Sequence, residues 1–171
     1  MSEIFNPATS AIKPKVIDGV SNLVTRQAGL STNAAVQTTI GTTELPPNIF
    51  SNDRNNAIVE ARFFGRIIGA DATTFRATFD GVVIGASGSA AIPSPGTFKA
   101  QVIVAYSNAQ VNVYFAITRG PTGTNATLET IASFAAPAAY DNNLTHTIAL
   151  QALTAAGTTT IFCDIVTSQY V

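Results

Sequence analysis

The sequence predicts an all-β protein, an antiparallel β-sandwich, on three observations. Ile and Val total 29 of the 171 residues against only 7 Leu, a bias toward strands and away from helices. From about residue 35, apolar and polar residues alternate in segment after segment. Clusters of Gly, Pro, Asn and Asp punctuate those segments with turn chemistry.

Residues 1–34 read differently. They hold two of the three lysines, Lys13 and Lys15, among scattered apolar side chains. Val16, Val20, Leu23 and Val24 fall at i, i+4, i+7 and i+8, which permits one short amphipathic helix, though Asp18 and Gly19 oppose it. Phe5-Asn6-Pro7 and Lys13-Pro14 favour extended backbone. We read 1–34 as an N-terminal arm, extended or partly helical, whose partners lie on another subunit or protein. Its contact residues would be Ile4, Phe5, Ile12, Val16, Ile17 and Val20. A disordered leader is the alternative.

Residues 35–171 form the β domain. Val36, Thr38 and Ile40 alternate until Leu45-Pro46-Pro47-Asn48 breaks the ladder. Ala57 to Gly69 is a long strand with Val59, Ala61, Phe63, Gly65 and Ile67 on a core face and Glu60, Arg62 and Arg66 on the other. Phe75, Ala77 and Phe79 share a face on the next strand, and Asp80-Gly81 turns the chain into Val82-Val83-Ile84. Gly85 to Gly96 reads as a loop. Phe98 to Tyr106 and Val111 to Ile117 alternate cleanly on either side of the tight hairpin Ser107-Asn108-Ala109-Gln110. Ala126 to Phe134, the strand beginning at His146, and Thr158 to Tyr170 complete eight or nine strands at spacings of about 8 to 15 residues. That count favours a jelly roll, and no fixed-period repeat is visible.

Composition removes several function classes. A net charge of -1 opposes a nucleic-acid binder that works by neutralising phosphates. A solitary Cys163 excludes a disulfide framework or a thiolate zinc site within one chain. No apolar stretch approaches the roughly 20 residues of a membrane span, so we expect a soluble protein without a membrane partner. Met1 to Thr9 carries Glu3 and Pro7 and lacks the apolar core of a secretory signal. Thr159, Ile161, Cys163 and Ile165 fall on one face of a strand-like run, so Cys163 reads as a small buried hydrophobe, compatible with a reduced assembly compartment.

The search for chemistry is mostly negative, and we expect no enzyme, cofactor or metal. His146 is the sole imidazole, placed at a strand start, and reads as a rim residue bonded to neighbouring backbone. Gly85-Ala86-Ser87-Gly88 has the wrong spacing for a nucleophile elbow. Glu60 is followed at i+2 by Arg62, so a same-face ion pair explains both, and the other acids are scattered or sit in turns such as Asp80-Gly81 and Asp141-Asn142-Asn143. Ser51-Asn52-Asp53-Arg54-Asn55-Asn56 lacks the spaced carboxylates of a calcium loop. Tyr106, Tyr114 and Tyr140 are candidates for a shallow glycan site, or else pack in the core or at subunit contacts.

Charge scarcity is the informative feature. Charged residues make up 11% of the chain, and from residue 100 onward they are only Arg119, Glu129, Asp141 and Asp164. Sheets commonly guard their outer faces and edges with charge, lysine above all. Here lysine occurs once after residue 15, as Lys99, and Thr, Ala, Ser, Asn and Gln stand instead at outer positions, as suits chains packed against copies of themselves. Self-assembly follows, with a cyclic trimer favoured by analogy with jelly rolls of this size.

Thr42-Thr43-Glu44-Leu45-Pro46-Pro47-Asn48-Ile49-Phe50, then Ala57 to Gly65 and Thr73 to Ile84, resembles small jelly-roll domains of bacteriophage structural proteins, including tail-fibre, spike and capsid-decoration subunits. The closing runs Leu144 to Leu150 and Gly157 to Ile161 are similar to the last hairpin of those domains. The resemblance covers roughly residues 36–171 and implies a virion component assembled in the host cytoplasm. It carries over no active site. The 34-residue arm departs from the pattern and would suit an anchor onto the major capsid protein or another virion protein.

Overall fold

Strict alternation in the sequence becomes long ladders in the computed structural model, which describes residues 22–25, 30–50, 57–107, 110–123, 129–135 and 140–170. The strands are β1 (Asn22–Thr25), β2 (Leu30–Thr32), β3 (Thr38–Leu45), β4 (Ala57–Ile68), β5 (Ala72–Phe79), β6 (Val82–Ala86), β7 (Ala90–Ala91), β8 (Gly96–Ser107), β9 (Gln110–Pro121), β10 (Glu129–Ala135), β11 (His146–Thr154) and β12 (Thr160–Tyr170). Among the described residues there is no helix.

The strands form two antiparallel sheets. The larger runs β1-β12-β4-β8-β9-β10, with β2 also paired to β12; the smaller runs β3-β11-β5-β6, with β7 on β5. Their inward residues merge into one core that includes Phe63, Phe98 and Phe115 from the larger sheet and Ile40, Phe75 and Ile148 from the smaller. Phe75 and Phe98 meet across it with ring centroids 4.7 Å apart. The faces assigned to β4 hold: Val59, Ala61, Phe63 and Ile67 are buried. Gly65 allows a close approach, because a Cβ there would lie 1.8 Å from the Phe162 carbonyl oxygen.

Twelve strands replace the expected eight or nine. The additions are β1, β2 and β7. The expected loop Gly85 to Gly96 contains β7, whose two residues extend the edge of β5. The first two begin inside the segment read as an arm. Residues 22–25 pair with Val166 to Gln169 and residues 30–32 with Ile161 to Cys163. Leu23 and Val24 are therefore extended, which corrects the helix option at that end: ladder bonds to β12 outweigh a helical pattern already weakened by Gly19. Ile4, Phe5, Ile12, Val16, Ile17 and Val20 lie outside the described residues.

Turns follow their residues. Asp80 and Gly81 both adopt positive φ, +48° and +80°, the primed hairpin turn that Asp-Gly favours. Ser107 pairs with Gln110, so two residues join β8 to β9, as the sequence implies.

Candidate functional site

Two polar constellations stand out, one at an end of the shared core and one on the outer face of the larger sheet.

The end site forms where the β5–β6 turn meets the start of β11. Pairing of Phe79 with Ile148 brings Asp80 level with His146 and Thr147. Asp80 Oδ1 accepts the Thr147 amide at 2.7 Å, while Oδ2 lies 2.5 Å from His146 Nδ1. The other ring nitrogen, Nε2, lies 2.7 Å from the Asp141 carbonyl oxygen. The imidazole is buried, flanked by Phe79 at 5.4 Å and Tyr140 at 4.4 Å in near-parallel stacks. An imidazole with both nitrogens engaged on protein acceptors holds loops together and has no nitrogen left for a substrate. The backbone bond agrees with the rim reading of His146; the Asp80 partnership does not show in the sequence, because it depends on the β5–β11 register.

Tyr106 and Tyr140 join this end. Tyr106 stacks on Phe50 at 5.3 Å, and the Tyr140 ring lies 5.9 Å from it. One ring face of Tyr106 is thus covered by Phe50 and one face of Tyr140 by His146. Asn142 bridges the same end: its Nδ2 donates to the Phe50 carbonyl and its Oδ1 accepts the Phe50 amide. Tyr114 is elsewhere. It pairs with Ile103 at the opposite parity to the buried Val113 and Phe115, on the outer face of the larger sheet. The three tyrosines therefore do not converge.

The outer-face site centres on Glu60, which is only 4% exposed although it points away from the core. Arg62 donates through Nε and Nη2 at 2.6 and 2.5 Å, Gln169 donates at 2.6 Å, and Gln101 also donates. Burial pushes the carboxyl pKa up, but these hydrogen bonds and the Arg62 charge outweigh it, leaving the pKa below the ordinary carboxylate value. Farther along the face, Arg66 makes a two-pronged pair with Asp164, both contacts 2.8 Å, while its guanidinium lies 4.9 Å over the Phe162 ring. The Glu60–Arg62 pair is the one expected from the i+2 spacing.

Arg119 escaped the sequence reading, although its parity marks it. It continues the inward series Val111, Val113, Phe115 and Ile117, and it is 1% exposed. Its Nη1 donates to the Thr73 carbonyl at 2.6 Å and its Nη2 to the Gly88 carbonyl at 2.7 Å. A β9 side chain thus ties the larger sheet to β5 and the β6–β7 connection. Cys163 is buried as expected, and burial, with Asp164 nearby, pushes its thiol up to about 12, so it is held as an unreactive thiol.

Among the described residues, no three His, Cys, Asp or Glu side chains gather as metal ligands, and no helix is long and apolar enough to cross a membrane. Searched against family models and against curated proteins, the chain finds no match.

Proposed function

We propose that this chain is a structural subunit of a bacteriophage virion, a homotrimeric capsid decoration protein anchored through its N-terminal arm. The observation that carries the reading is a β exterior with few charges, whose outer-face acids Glu60 and Asp164 are each neutralised by an arginine of the same face. Burying these matched pairs against sister chains leaves neither carboxylate alone, and the exposed Lys99 opposite Phe64 is the one further charge that β4, β8 and β12 place on that face.

Strand order supports the jelly-roll assignment. With β1 and β2 counted as one strand, and β7, β9 and β10 set aside as additions, the larger sheet reads first-eighth-third-sixth. The smaller then reads second-seventh-fourth-fifth. Two interlocked Greek keys produce that order.

In this role the β domain supplies symmetry and the arm supplies attachment. Ordering each arm residue costs about 1 to 2 kcal/mol of backbone entropy. Burial of arm side chains at roughly 25 cal/mol per Å2 must exceed that cost. Three arms on one trimer slow release far beyond a single arm. The rival reading, a tail-fibre or tail-tip module that binds host glycans, calls for Tyr106, Tyr114 and Tyr140 on one open surface.

Because β1 belongs to the sheet, the test removes only residues 1–21. Full-length and shortened proteins are supplied to cells producing the virion, and particles banded on a density gradient are analysed by mass spectrometry. The full chain is expected in the particles in many copies, and the shortened chain is expected to fold but be missing from them. Absence of the full chain overturns the virion reading; normal incorporation of the shortened chain overturns the anchor.

A further inference from the structure

The larger sheet turns apolar side chains to the outside. In β4, Phe64 and Ile68 alternate with the buried Phe63 and Ile67, and Ile68 is 42% exposed. β12 adds to this through an irregularity between Cys163 and Ile165, where two residues stand opposite the one residue Phe64. Such a bulge re-aims side chains, and it takes Ile165 off the buried face of Ile161 and Cys163 where simple alternation places it. Here Asp164 reaches Arg66, and Ile165 is left 45% exposed beside them. In the smaller sheet, β3, β5 and β11 contribute no exposed large apolar residue among those described, and its exposed Val82 and Val83 sit on the edge strand β6, beside the Asp80-Gly81 turn.

We propose that this outer face, built on β12, β4, β8 and β9, is where a second copy of the chain packs. The inference deepens the self-assembly reading above and rests on it. Two quantities select the occupant. Four adjacent strands at about 4.8 Å and eleven residues at about 3.3 Å give a face of about 700 Å2. Contact with an equal area on a neighbour buries about 1,400 Å2 in total, within the range of specific protein interfaces. Charge is the second. Glu60 with Arg62, and Asp164 with Arg66, are already matched within the face, which leaves Lys99, exposed opposite Phe64, as its one further charge. A strongly charged partner gains little from matched pairs, whereas a surface as sparsely charged as this chain's own suits them.

The test measures association of the full chain by sedimentation equilibrium. Ile68→Glu and Ile165→Lys place charge at two exposed positions of the face; Thr39→Lys does so at an exposed position of the smaller sheet. Wild type and the Thr39 variant are expected to associate equally, and the two face variants about tenfold more weakly or worse. Wild-type association with both face variants unchanged overturns the face and leaves the self-assembly reading standing. A wild type that stays monomeric at the highest soluble concentration overturns both.

An Ile165→Cys variant supplies a second readout that disturbs the fold less. Its labelling by a bulky maleimide is expected to slow as concentration rises, with Cys163, buried and unreactive, adding little background. Labelling that is fast at every concentration overturns the proposal. Labelling that is slow in a monomer also overturns it, since the chain's own residues then cover the face.

Discussion

The two sheets use the same alternation to present different outer faces. Beyond the shared core, the middle strands of the smaller sheet show mostly Thr39, Glu44, Thr74, Arg76, Thr147 and Gln151, side chains that water satisfies easily, with Leu153 beside Thr74 and the exposed Val82 and Val83 on the edge strand β6. Arg76 there spends its guanidinium on the Gln151 amide oxygen at 2.9 and 2.7 Å. The larger sheet shows Phe64, Ile68, Phe162 and Ile165 around two matched ion pairs. Alternation sets which residues face out; it does not set what the outside is for. That depends on whether the outward charges already have partners on the same surface.

The strongest way to break the contrast is to remove what couples the two sheets. Phe75→Ala, at the contact with Phe98, is expected to lower stability by about 3–5 kcal/mol in urea unfolding, with both sheets lost in one transition. Two separate transitions would mean that the sheets are independent units.

The next effect is confined to one end. His146→Ala leaves the buried ring space empty and strips Asp80 of a partner, with an expected loss of about 2–3 kcal/mol. The loss is read from the midpoint of chemical denaturation. A change below about 0.5 kcal/mol, the usual scale for exposed substitutions, would mean that the end site contributes nothing to the fold.

A third test addresses the larger face through acid. The folded-state pKa of Glu60 lies below its unfolded value, so the unfolded chain binds the proton more readily. The associated stability is complete above the unfolded pKa and is lost as pH falls through the lowered folded value. Glu60→Gln removes that dependence. Wild type minus variant stability is therefore expected to shrink steadily below about pH 4.5, the ordinary carboxylate range. A difference that stays constant down to pH 2 would mean that the carboxylate is not held by its neighbours.

The smallest effect belongs to the smaller face. Gln151→Ala, which removes an amide from the Arg76 contact, is expected to change the melting behaviour by no more than about 0.5 kcal/mol. A larger loss would place unexpected weight on the wetter face and erase the distinction between the two.

What the residues reveal in one dimension is periodicity, and periodicity is local. It identifies the core face of β4, the β8–β9 hairpin, the Asp80-Gly81 turn and the Glu60–Arg62 pair, all of which depend on neighbours within a few positions. It does not identify β1 and β2, which are too short to alternate and become strands only because β12 offers ladder partners. The Asp80–His146 contact spans 66 positions and is set by the β5–β11 register. Gln101 and Gln169 reach Glu60 from separate strands, which no spacing rule encodes. Arg119 is the instructive case, since its parity pointed inward and its charge argued outward. Backbone carbonyls of Thr73 and Gly88 settle that conflict in favour of parity.

One consequence concerns timing. β12 holds β4 along one side and β1 and β2 along the other, so strands made early in synthesis wait for the last described strand before their ladders can close. Pairings between distant parts of a chain form slowly, and an unfinished edge invites wrong partners. Yet the same dependence means that Phe162 and Ile165 take their places beside Phe64 and Ile68 only once translation has passed residue 170. A nascent chain therefore cannot display the complete surface, and any association through that surface would wait until each copy had finished folding.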